Sequence, residues 1–86
     1  MAKYKVELSN TAFKALKKIP KNDVHKILDM MKGLAEKPFP YGSIKLEGED
    51  NTYRIRSGDY RIIYELHNDI LMILVLKIGH RKDVYR

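Results

Sequence analysis

Thr52-Tyr53-Arg54-Ile55-Arg56-Ser57-Gly58-Asp59-Tyr60-Arg61-Ile62-Ile63-Tyr64-Glu65-Leu66 reads as two strands joined at Gly58-Asp59, because period-two runs flank a dipeptide suited to a tight hairpin turn. A two-residue loop fixes the register. Ser57 then faces Tyr60, Arg56 faces Arg61, Ile55 faces Ile62 and Tyr53 faces Tyr64. Tyr53, Ile55, Ile62 and Tyr64 share a core face, whereas Arg54, Arg56, Arg61 and Ile63 share the opposite one. Moving the loop by one residue would mix the two sets.

Upstream, Tyr4, Val6 and Leu8 alternate with Lys3, Lys5 and Glu7, the pattern of a first strand with one buried face. Ser9 or Asn10 caps a helix running to about Lys18, with Ala12, Phe13, Leu16 and Ile19 as its apolar stripe and Pro20 as its stop. Asn22 caps a second helix, in which Val24, Ile27, Leu28, Met31, Leu34 and Ala35 recur at helical spacing until Lys37-Pro38-Phe39-Pro40 ends it. Around the hairpin, Ser43 to Glu47, Thr52 to Ser57, Tyr60 to Leu66 and Ile70 to Ile78 read as four strands separated at Gly48, Gly58 and Asn68-Asp69. The order βααββββ predicts an α+β fold, an antiparallel sheet with the helical hairpin packed on one face. The run ending at Ile78 is apolar on both sides, so its strand belongs inside the sheet.

Eighty-six residues support one hydrophobic core, so residues 1–86 read as a single domain. At 44% hydrophobic and 33% charged, the chain is globular rather than disordered. It has no cysteine, which excludes disulfides, thiolate metal sites and cysteine nucleophiles and makes the cytoplasm the expected compartment. The longest apolar run, Ile70 to Leu76, is too short to cross a bilayer, and the N-terminus lacks the apolar core of a signal peptide. No membrane is expected. His25, His67 and His80 are spread over helix, turn and tail with no carboxylate at ligand spacing, so neither a metal nor another cofactor is expected.

Seventeen Lys and Arg against eleven acids leave a net charge of +6, which favours a polyanion or an acidic partner. All the arginines, Arg54, Arg56, Arg61, Arg81 and Arg86, lie in the C-terminal part of the chain. Placing Arg56 opposite Arg61 costs a few tenths to about 1 kcal/mol, and nothing in folding asks for it. Bound phosphates would turn that repulsion into charge-assisted hydrogen bonds. The plainer alternative is that the long side chains splay into water. Ile78-Gly79-His80-Arg81-Lys82-Asp83-Val84-Tyr85-Arg86 then adds an imidazole, further cations and a phenol at the sheet's end, a set suited to RNA chemistry.

The element order, Tyr53-Arg54-Ile55-Arg56, the run Gly58 to Tyr64 and the closing Ile78-Gly79-His80-Arg81-Lys82-Asp83-Val84-Tyr85 together resemble the RelE/ParE superfamily of type II toxins, most of all the RelE messenger-RNA interferases. The resemblance implies a RelE-like fold and a ribosome-dependent endoribonuclease that inhibits translation without a metal. Carried over by motif position, it makes Arg54, Arg56, Arg61, Arg81 and Tyr85 working residues, with arginines at 54 and 56 where well-known members have lysines. Arg54, Arg56, Arg61, Arg81, Lys82 and Arg86 would contact RNA. Since a guanidinium cannot give up its proton, His80 is the best titrating candidate, and His80 or Tyr85 is expected to serve proton transfer or base stacking. The resemblance also implies an acidic, RelB-like antitoxin that masks the arginines or displaces a neighbouring element, besides ribosome and messenger RNA. Two alternatives stay open: a ParE-like inhibitor of DNA gyrase, and a basic RNA-binding module without catalysis.

Overall fold

The computed structural model describes residues 3–80. In chain order the elements are β1 (Lys5–Leu8), α1 (Asn10–Leu16), α2 (Lys21–Glu36), β2 (Ile44–Lys45), β3 (Thr52–Ser57), β4 (Tyr60–His67) and β5 (Met72–His80). They form one five-stranded sheet in the order β1-β5-β4-β3-β2. The expected βααββββ order stands, and β5 lies inside the sheet as its two apolar faces require.

The sheet is mixed rather than wholly antiparallel, because β1 pairs parallel with β5 from Lys5↔Met72 to Leu8↔Val75. The long return through both helices and three strands makes that orientation possible. Pairing between β3 and β4 follows the register read from the sequence, with Tyr53↔Tyr64, Ile55↔Ile62, Arg56↔Arg61 and Ser57↔Tyr60. Gly58 has φ 60°, so the first turn residue is left-handed while Asp59 is not, the arrangement of a II′ hairpin turn.

Ser9 caps α1, its hydroxyl accepting from the Ala12 N–H at 3.0 Å. That hydroxyl also donates to the Leu76 carbonyl at 2.7 Å, so one side chain ties the helix start to β5. The second cap differs from expectation. Pro20 occupies it in place of Asn22, and its carbonyl accepts from Asp23 and Val24 at 3.0 Å each. Proline suits a helix start because its missing N–H is needed by no partner there.

Ala12, Ile27, Met31 and Leu34 of the helices meet Tyr4, Ile55, Ile62, Tyr64, Leu66, Ile73, Val75 and Ile78 in one core on one face of the sheet. Phe13, expected in that stripe, points outward at 52% exposure, with the Lys17 ammonium 4.7 Å from its ring centre. A helix of seven residues has room on its buried side for little more than Ala12 and the half-buried Ala15 and Leu16. Two strand limits also move. β2 keeps only Ile44 and Lys45 of the expected Ser43 to Glu47, and Ile70 and Leu71 belong to the turn before β5. That turn holds four residues, since His67 pairs with Met72.

Candidate nucleic-acid interface

The face away from the helices is built in rows across the strands. Arg56 of β3, Arg61 of β4 and Gly79 of β5 stand in one row, because Arg56 pairs with Arg61 and Arg61 with Gly79. The next row runs Ile44, Arg54, Ile63 and Lys77. Glycine at 79 brings no side chain of its own to that row. Arg56 is exposed, whereas Arg54 and Arg61 are half-buried, with the Arg61 Nε wholly covered. Cations whose stems are packed against a rigid sheet lose less entropy when they grip an anion than cations that move freely.

A register shift between Ile63 and Tyr64 decides what β5 adds. Val75 pairs with Tyr64 and Lys77 with Ile63, which leaves Leu76 as the extra residue of a β-bulge. The bulge brings Lys77 onto the arginine face. This residue was not among the sequence candidates, although it is the sole charged position within the run Met72 to Ile78. That anomaly was the available signal. Period-two alternation could not have resolved it, since alternation fails at a bulge.

His80 does not join the arginines. It pairs with Tyr60 on the helix side of the sheet, their rings in edge contact at 5.8 Å and 84°, beside Ala15, Lys18 and Ile19. It lies at the sheet's end, as expected, but one residue along the strand from Gly79, the partner of Arg61, and one residue changes the face. Arg81, Lys82, Tyr85 and Arg86 lie outside the described residues. Among the described residues no group of three or more His, Cys, Asp or Glu side chains is placed to hold a metal ion. No helix among them is long and apolar enough to cross a membrane.

The row beyond Arg54 and Ile63 begins with Thr52 opposite Glu65. The Glu65 carboxylate is held by the His67 imidazole, Nε2 to Oε1 at 2.9 Å. At the far end of the hairpin the face is thus cationic, and toward the β4–β5 turn it carries a carboxylate.

This fold recurs in solved toxins. The chain superposes on the toxin–antitoxin complex described as archaeal RelE-RelB from Pyrococcus horikoshii with a TM-score of 0.84 and 33% identity, over 95% of this chain and 99% of the matched one. For the RelBE2 complex of Mycobacterium tuberculosis the TM-score is 0.82 and the identity 27%, over 96% and 97% of the two chains. RelE1 of Methanocaldococcus jannaschii is 30% identical over 98% of this chain and 97% of its own length. Residues 6–85 match the family model described as the ParE toxin of the type II toxin-antitoxin system parDE. The chain belongs to that family, within the RelE/ParE superfamily of toxins.

Proposed function

We propose that the chain is a ribosome-dependent endoribonuclease that cuts messenger RNA, its arginine face holding the backbone. The observation that carries this reading is the pairing of Arg56 with Arg61, with Arg54 on the same face. Like charges set directly opposite each other cost some stability, and an anionic ligand held between them would offset that cost. In the proposed reaction the ribose 2′-hydroxyl attacks the adjacent phosphorus and its proton leaves to a base. The P–O5′ bond breaks, the 5′-oxygen takes up a proton, and a 2′,3′-cyclic phosphate remains. Arg56 and Arg61 stabilise the negative charge that builds on the phosphate oxygens, and Arg54 and Lys77 hold a flanking phosphate.

Guanidinium groups carry charge but not protons in this scheme. His80, set against Tyr60 on the other face, supports the sheet end rather than the reacting phosphate. By family resemblance the transfer role falls to Tyr85 of the closing segment, and Arg81 there holds phosphate. The place of action is the cytoplasm, and the natural partner is an acidic antitoxin whose charge complements the face, in keeping with the RelB partners of the solved relatives.

Inducible expression with 5′-end mapping of messages tests the reading. Cuts within translated codons are expected, reduced roughly 10²- to 10³-fold by Arg61→Ala. Intact messages under full expression would overturn it. The description of the matching family as ParE keeps a second reading, inhibition of DNA gyrase, and trapped gyrase with uncut messages is its signature.

A further inference from the structure

The open face has a hollow where the arginine rows end. Leu46, Ile63 and Leu76 give it apolar walls, and Glu49, Glu65 and Lys77 stand at its polar side, around a volume of about 230 Å³. That is smaller than the roughly 300–1,000 Å³ of pockets for drug-sized ligands and suits one flat ring system. Ile63 shares a row with Arg54 and Lys77, and Glu65 stands one row further along β4, about 7 Å away at two residues of strand. A phosphate on Arg54 and Lys77 therefore leaves its own base within reach of the hollow.

Carboxylates beside a phosphate-binding wall repel phosphate, so their use there is to accept N–H donors. Glu65 is fitted for that: its side chain is 28% exposed, and His67 fixes it through Oε1. An ionised carboxylate accepts at both oxygens and donates nothing. Guanine offers two adjacent N–H donors on its pairing edge, whereas adenine and cytosine offer a donor beside an acceptor. The geometry points to a base-recognition pocket formed by Ile63, Leu76 and Glu65 that selects guanine in the nucleotide whose phosphate the arginine face binds. The inference rests on the proposed RNA substrate and adds its base preference.

Equilibrium binding of labelled oligouridylates carrying one central guanosine, adenosine or cytidine to the whole purified chain tests it. The guanosine oligonucleotide is expected to bind about tenfold more tightly, the scale of one bidentate contact. Glu65→Gln, which presents a donor beside an acceptor, is expected to lose that preference and favour adenosine and cytidine over guanosine. Arg54→Ala weakens all three oligonucleotides by the same factor. Guanosine 5′-monophosphate added to the wild type should shift the methyl NMR signals of Ile63 and Leu76 more than uridine 5′-monophosphate does, a readout that needs no variant to fold. Equal affinities for the three oligonucleotides, or a guanine preference kept by Glu65→Gln, would overturn the pocket and leave the ribonuclease reading standing. A clear guanine preference in a chain that cuts no message would do the reverse, and failure to bind any oligonucleotide would overturn the pocket, the cutting of messages on ribosomes being read separately.

Discussion

Tyr64 is fully buried, and its hydroxyl donates to the Pro38 carbonyl at 2.7 Å, which anchors the segment after α2 to the middle of the sheet. Burial pushes its pKa up from 10.0 to about 12, partly opposed by the Ser43 hydroxyl and reinforced by the neighbouring Tyr53. In the unfolded chain the phenol ionises near its ordinary value, while the folded chain keeps it neutral. The stability this provides is complete below pH 10 and drains away as pH rises toward 12. Urea unfolding across that window should show the decline in the wild type and a flatter profile in Tyr64→Phe, which loses about 1 kcal/mol at neutral pH with its hydrogen bond. Leu71 is the other residue under local tension, held at φ 51° in the β4–β5 turn and 42% exposed. Left-handed backbone costs such a side chain about 1–2 kcal/mol, and asparagine tolerates it better. Leu71→Asn is therefore expected to stabilise the protein by roughly 0.5–1 kcal/mol in the same assay.

At the level of elements, the hairpin of β3 and β4 holds the site and β5 trims it. Relieving the Arg56 and Arg61 pairing with Arg56→Gln should raise stability by a few tenths to about 1 kcal/mol while weakening RNA binding. A variant that is both less stable and equally good at binding would contradict the account of that pair as a ligand-directed cost. Ser9 serves two elements, the first turn of α1 and the bulge carbonyl of Leu76. Ser9→Ala is expected to cost about 1–2 kcal/mol. Faster amide exchange should appear at Ala12, where a cap N–H loses its acceptor. The hairpin register was legible because it depends on local matters, a glycine turn and two period-two runs meeting head to tail. The helix starts were less so. Asn22 has the better capping side chain, yet the backbone needs the turn two residues earlier, where Pro20 opens α2 after α1 has already ended at Leu16.

For the whole molecule, a net charge of +6 favours a polyanion, and the number of phosphates contacted sets how binding responds to salt. Four contacts to a single strand, from Arg54, Arg56, Arg61 and Lys77, predict a slope of log affinity against log salt of about −3, and each arginine changed to alanine should remove about 0.7 of it. Salt titration of oligouridylate binding measures this directly, and a slope unaffected by Arg54→Ala, Arg56→Ala and Arg61→Ala would exclude them as phosphate contacts. The amino-acid sequence alone determined the α+β class, the element order, the Arg56–Arg61 register and the grouping of Arg54 with them, because turn geometry and period-two patterning act between neighbours in the chain. Tertiary structure alone decided that β1 runs parallel to β5, that Phe13 faces solvent, that His80 sits with Tyr60, and that Lys77 and Glu65 border the arginine wall. Each of these depends on which distant strand a residue meets, and a single-residue bulge in β5 reverses the facing of every side chain beyond it, a change that no local spacing rule can register.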